Sequence, residues 1–351
     1  MENNRVMKQK YKKNIATAAL IFFVGIVCIT IFQNNKKRQA TQSLFAMDTY
    51  MEITAYGKNS EVAVAAAAAE LQRLDALLST GSNTSEVTRI NQQKTANLSD
   101  DTAYLLERSQ QIYQDTQGAF DITIYPIMKL WGFAGDTFHV PTQKELDAVL
   151  PGVDMSALCY QKENKTLTIP EASAMDFGGI AKGYASDRAA EILKNYGIES
   201  AIMNLGGNVR AIGTKTDGSL WCVGIRTPDG SQPYLGAISV KDKAVITSGG
   251  YERYFEENGI VYHHIIDPKT GKPAQNGLVS VTIVCEDGTT ADGLSTALYV
   301  MGTEKALTFW QQYNQVFDAV LLDEEENLYV TEGLQEVFSS ERDYKIYRRE
   351  K

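Results

Sequence analysis

The segment Tyr262-His263-His264-Ile265-Ile266-Asp267-Pro268-Lys269-Thr270-Gly271-Lys272-Pro273 holds two of the chain's three histidines beside an Asp-Pro turn signal. Downstream, Ala291-Asp292-Gly293-Leu294-Ser295-Thr296 sets a carboxylate and two hydroxyls at i, i+3 and i+4, one face of a helix. An imidazole titrating near neutrality can take a proton from a hydroxyl, and carboxylate and hydroxyl oxygens are hard donors for a divalent cation. Together they suit chemistry on a metal-held phosphate. A lone histidine near a strand end is more commonly structural, but the surroundings of His264 are too polar for plain core. Asp292 has a competing account as a helix cap.

Three glycine-bearing segments are candidates to meet such a ligand. Asp176-Phe177-Gly178-Gly179-Ile180-Ala181-Lys182-Gly183-Tyr184 leads into a helix, whose N-terminus favours an anion, with Lys182 in the first turn. Taken alone, it reads equally well as a structural turn. It is neither a Walker loop nor a GxGxxG fingerprint. Asn204-Leu205-Gly206-Gly207-Asn208-Val209 reads as a tight β-turn. Thr247-Ser248-Gly249-Gly250-Tyr251-Glu252-Arg253-Tyr254-Phe255 adds an arginine that could grip a phosphate, although a surface ion pair is its commoner fate.

The elements that must position these groups follow an N-terminal piece of different character. Ile15 to Phe32 is uncharged and apolar, and its eighteen residues just suffice for a transmembrane helix. Arg5, Lys8, Lys10, Lys12 and Lys13 precede it; Lys36, Lys37 and Arg38 follow. That asymmetry predicts a basic cytoplasmic tail (1–14), a retained single-pass anchor (15–32), a tether (33–45) and an exported body (46–351). A cleaved signal peptide is the rival, disfavoured by the length of the run and the lack of a small-x-small site. Cys28 lacks the small neighbour expected beside a lipidated cysteine.

Residues 1–45 carry +7 and the whole chain −9, which leaves −16 on the body and excludes a general nucleic-acid surface. Cys159, Cys222 and Cys285 show no CxxC or zinc spacing. Alternation predicts a strand over Met47–Tyr56, and helices are expected over Ser60–Leu78, Asp100–Thr116, Ile180–Tyr196 and Asp292–Met301. Short β-branched runs predict strands over Leu220–Arg226, Gly236–Val240, Ala244–Thr247, Ile260–Ile266 and Val279–Cys285. Strands and helices do not alternate regularly, so one α+β body is expected.

Taken in order, these segments resemble the ApbE family of FAD:protein FMN transferases. The likeness spans nearly all of 45–335. It rests on Met47-Asp48-Thr49, Leu77-Leu78-Ser79-Thr80, Gly118-Ala119-Phe120-Asp121-Ile122-Thr123, Leu130-Trp131-Gly132-Phe133 and the segments quoted above. The resemblance implies two intertwined T-fold-like halves with flavin in the cleft between them. It implies Mg²⁺-dependent transfer of the FMN half of FAD to a threonine (or serine) hydroxyl of a partner protein. By position, metal ligands would be the Gly179 carbonyl, Asp292 and Thr296, with Ser295 as a further member. Flavin contacts would be Met47, Gly81, Ala119, Phe120, Asp121, Asp176, Lys182 and Ile266, and His264 would be the base. Members often carry alanine in place of Gly179, which a backbone ligand tolerates; some carry aspartate in place of Ser295. Family acceptors are exported redox proteins, including subunits of Rnf-type or sodium-pumping complexes. An FAD pyrophosphatase releasing FMN and AMP is the second reading, and a non-enzymatic flavin carrier the third.

Overall fold

Nine strands of one sheet stand side by side in the order in which the chain makes them. They are β1 (Gln39–Ala46), β2 (Thr49–Tyr56), β3 (Ser200–Leu205), β4 (Asn208–Gly213), β5 (Ala244–Gly249), β6 (Leu278–Cys285), β7 (Phe317–Asp323), β8 (Leu328–Thr331) and β9 (Lys345–Tyr347). Neighbours are antiparallel until the last pair, where β8 and β9 run parallel. The computed structural model describes residues 38–135, 137–313 and 317–349. The apolar run 15–32 lies outside the described residues, and with it the expected anchor and basic tail. Among the described residues no helix is long and apolar enough to cross a membrane.

Five helices cover one face of the sheet: α1 (Ser60–Leu78), α2 (Asp100–Asp115), α3 (Ala181–Asn195), α4 (Gly288–Met301) and α5 (Thr303–Gln312). In α1, Ala63, Val64, Ala67, Ala68, Leu71, Leu74 and Leu78 recur at helical spacing and are all buried. The period of two along the strands divides the core between faces. Ala244, Ile246 and Ile283 meet the helices, while Val245 and Val284 point the other way. On that second face a small sheet of Trp221–Arg226, Tyr234–Val240 and Phe338–Ser339 covers the strands. A third cluster joins Ile127, Trp131, Phe133, Leu146 and Ile266, with Phe255 and Tyr262 packed against it. The result is the expected α+β body. A pattern of two strands, helices and two strands occurs twice, in β1–β4 with α1–α3 and in β5–β8 with α4–α5.

Four departures from the expected boundaries bear on the sheet edge or on the site. The tether was expected to reach residue 45, yet Gln39–Ala46 is β1, the sheet's edge strand. Its polar side chains hid it, because an edge strand buries little and Thr41 reaches its neighbour strand hydroxyl to hydroxyl, at 2.9 Å from Thr54. Met47 and Asp48 are not strand but the two-residue loop of the β1–β2 hairpin, both left-handed at φ 49° and 56°. Ile260–Ile266 is broken: Ile260–His263 pairs with Tyr254–Glu257, and Ile266–Asp267 pairs with Lys272–Pro273. Finally, α4 starts at Gly288, a full turn ahead of Asp292.

Candidate active site

Helices α3 and α4 cross where α3 has almost no side chain. A Cβ on Gly183 would lie 2.1 Å from the Gly288 carbonyl oxygen and 2.6 Å from Asp292 Cβ, so only glycine permits the approach. The crossing brings the Gly183 amide to Asp292, whose Oδ2 accepts it at 2.8 Å, while Oδ1 accepts Asn208 Nδ2 at 3.0 Å. The cap of α4 is Asp287, which accepts the Thr290 amide at 2.8 Å. Asp187 of α3 takes the Gly288 and Thr289 amides at 2.9 and 2.8 Å. With its amides so occupied, the helix has no need of Asp292 as a cap. Because Gly183 donates to Asp292, the Gly179 carbonyl one turn back accepts no backbone amide among the described residues.

The rest of the oxygen cluster lies one turn along α4. A Cβ on Gly179 would be 3.6 Å from Thr296 Oγ1 and 3.1 Å from the Phe120 ring, so the glycine turn and the late helix do meet. Between Ala291 and Val300, Thr296 alone is not buried. Ser295 is fully buried; its hydroxyl donates to the Asp292 carbonyl at 2.8 Å and lies 2.8 Å from Ser248 Oγ. Ser248 is also 3.5 Å from Thr296 Oγ1.

His264 sits where the strand broke. Its Nδ1–H donates to the Arg253 carbonyl at 3.0 Å, and its own amide donates to the same oxygen at 3.1 Å. That fixes the tautomer and leaves Nε2 with a free lone pair. Burial, with the Lys182 and Arg253 cations nearby, pushes the half-buried imidazole down to about 4. The ring is therefore neutral at pH 7. Arg253 also donates to the Phe133 carbonyl, and Phe133 packs edge-on to His264 at 6.4 Å. Asp176 accepts the Gly178 amide at 2.8 Å; burial raises its pKa while Lys182 and Arg253 oppose the rise. A proton-accepting nitrogen, two cations and a hard-oxygen cluster thus share one region.

The remaining expected residues divide. Met47 is held at the hairpin by its amide, which donates to Asp75 Oδ1 at 3.0 Å. Gly81 is exposed in a turn closed by Ser79 Oγ at 3.2 Å. Phe120 lines the Gly179 turn, with Ala119 buried beside it in sequence. Asp121 turns inward: its carboxylate accepts the Thr123 amide and hydroxyl at 2.7 and 2.6 Å and the Met155 amide at 3.1 Å. Burial raises the Asp121 pKa. Ile266 is 5% exposed and belongs to the aromatic cluster, so any contact it makes beyond that cluster comes from a sliver of surface or its backbone. Sequence reasoning missed Asp187 altogether and gave no role to Asn208 or Ser248, although both lie in the glycine-bearing segments it singled out. Asp187 and Asn208 act on α4 from at least eighty residues away. Only the Asp-x-x-Thr spacing of Asp287 and Thr290 was a local signal for the true start of α4.

Residues 47–321 match the model of the ApbE family. A FAD:protein FMN transferase of Haemophilus influenzae is 35% identical over 70% of this chain and 74% of its own length. Among solved structures, the ApbE protein of Thermotoga maritima superposes with a TM-score of 0.81 at 32% identity, over 87% of this chain and all of that one. The flavin transferase ApbE of Vibrio cholerae gives a TM-score of 0.77 at 30% identity, over 86% and 99%. The matched span contains all three glycine-bearing segments and the late helix, and on the ground of that match the chain belongs to the ApbE family.

Proposed function

We propose that this protein transfers the FMN half of FAD to a threonine or serine hydroxyl of an exported partner protein, releasing AMP. The observation that carries this reading is the meeting of the Gly179 turn with the Asp292–Thr296 face of α4. Family membership and the names of its relatives supply the substrate. We read the two strand–helix–strand units as T-fold-like halves.

The donor set suits Mg²⁺. Each Asp292 oxygen keeps a lone pair beyond the bonds from Gly183 and Asn208, the Gly179 carbonyl accepts no backbone amide among the described residues, and Thr296 adds a hydroxyl. One carboxylate with neutral oxygens is the usual protein share for Mg²⁺, substrate phosphates completing the shell. Ser295 is the weakest member, its hydroxyl already shared with Ser248 and the Asp292 carbonyl. When bound, the ion would neutralise the charge that develops on the pyrophosphate.

This chain's own groups do the rest. Lys182 and Arg253 favour a dianionic pyrophosphate, and Met47, Gly81, Ala119, Phe120, Asp121, Asp176 and Ile266 are proposed to shape the flavin site. His264 Nε2 takes the proton from the acceptor hydroxyl as that oxygen attacks the FMN phosphorus. The bond to the AMP oxygen breaks, and AMP carries that electron pair away. The 15–32 run is proposed as a single-pass membrane anchor that keeps the body on the outer side, near exported acceptors such as Rnf-type or sodium-pumping subunits.

The test is incubation of the whole chain with FAD, Mg²⁺ and an FMN-acceptor domain. Flavin fluorescence that stays with the acceptor through denaturing electrophoresis is expected. Free FMN and AMP alone would establish the pyrophosphatase instead.

A further inference from the structure

Building on that reading, we infer that His263, the neighbour of the base, is the positioning residue that ties His264 to the oxygen-bearing helix. Both of its ring nitrogens are spent on backbone. Nε2–H donates to the Ala274 carbonyl at 3.0 Å, and Nδ1 accepts the Ile265 amide at 3.3 Å. These bonds clamp the residue just after His264 and the strand that returns past it. The Ala274 amide completes the clamp by donating to the Ile265 carbonyl at 2.9 Å.

The other side of the ring meets α4. Tyr299 packs edge-on to His263, centroids 5.5 Å apart at 84°. Tyr299 follows Asp292 and Thr296 at i+7 and i+3, on the same face of the helix. Its hydroxyl lies against Gly250, which is squeezed between the two rings: a Cβ there would lie 2.7 Å from Tyr299 Oη and 2.9 Å from His263 Cδ2. Two residues earlier, Ser248 touches Ser295 and Thr296. One imidazole therefore joins three pieces of the site: the base segment, the Ser248–Gly250 turn and α4. No other side chain described here bonds to backbone immediately beyond His264 while packing on that helix. Reacting groups must be held to within about half an ångström for efficient transfer, so slackening this joint should reduce turnover more than flavin binding.

The experiment compares the whole protein with His263→Phe, which keeps an aromatic ring against Tyr299 but loses both bonds, and with His263→Gln, whose amide can still donate to Ala274. For His263→Phe, kcat for FMN transfer should fall at least tenfold while KM for FAD stays within twofold. His263→Gln should recover part of that loss. The ¹⁵N NMR spectrum of His264 supplies a reading independent of activity: one tautomer, protonated at Nδ1, in the wild type and a mixture in His263→Phe. Unchanged kcat together with an unchanged His264 tautomer in the Phe variant overturns the inference. If that variant does not fold, the Gln variant decides, with a three- to tenfold lower kcat expected and a value within twofold of wild type refuting. A wild type that transfers nothing sinks the proposed function instead, and the tautomer alone then judges His263.

Discussion

Asp292 carries two burdens, and replacing it with alanine separates them. The first is structural. Asp292→Ala removes an acceptor from the Gly183 amide at 2.8 Å and from Asn208 Nδ2 at 3.0 Å, both buried. Hydrogen bonds to a charged acceptor contribute roughly 1.5–3 kcal/mol each. The Gly183 amide can turn back to the Gly179 carbonyl and recover part of one. A net loss of about 2–4 kcal/mol without metal follows, or roughly 3–6 °C in Tm for a body of this size. The second burden is the ion. A site for Mg²⁺ at one hundred times its Kd adds about 2.7 kcal/mol to the wild type. That increment should vanish in Asp292→Ala, all the more because the recaptured amide also occupies the Gly179 carbonyl. Thermal melts of both proteins with Mg²⁺ and with EDTA read the two effects apart. A variant whose Tm rises with Mg²⁺ as far as the wild type's would refute the metal assignment. One that melts with the wild type in EDTA would refute the account of the helix crossing.

Five further outcomes are expected. His264→Ala should bind FAD within a few-fold of wild type and lose FMN transfer by 10²-fold or more, measured by flavin fluorescence titration and gel assay; equal transfer rates would exclude the base. The wild type's kcat/KM should hold steady from neutral pH down towards 5 and fall only near the imidazole's value of about 4; a half-point at ordinary histidine pKa would contradict its buried setting. The same group makes the fold less stable as pH drops from about 6.5 towards 4, because the unfolded chain binds that proton first. Gly179→Ala should cost under about 1 kcal/mol and keep activity, since its Cβ would crowd the Phe120 ring edge at 3.1 Å and reach Thr296 Oγ1 only at an ordinary contact distance of 3.6 Å. Gly183→Ala should cost about 1–3 kcal/mol and depress transfer, because backbone at 2.1 Å cannot yield; denaturant melts rank the pair.

What the chain disclosed before folding follows from the range of the forces involved. Helices such as Ser60–Leu78 and Asp100–Asp115 were legible because apolar periodicity and turn residues are local. The Asp292, Ser295 and Thr296 face was legible for the same reason. Hidden were the groups that act across the sheet. Nothing near Asn208 announces that its amide bonds Asp292, and nothing in α3 announces that Asp187 caps another helix. The β1 strand escaped because an edge buries one side at most and leaves its polar residues in water. Ser295 illustrates the converse: its spacing proposed a ligand, but only the fold reveals that the hydroxyl is already shared.

The strictly sequential order of the sheet has a bearing on synthesis. From β5 to β8 each strand pairs with the next one within a single continuous stretch, so those four can zip together as soon as they have been made. The amino-terminal hairpin is in a different position: β2 must wait for Ser200–Leu205, with the whole of α1 to α3 made in between. Until then its inner edge stays open to wrong partners on a nascent chain. Truncated chains that stop short of residue 200 are therefore expected to aggregate or be degraded, whereas loss of the last strand, Lys345–Tyr347, should be tolerated far better.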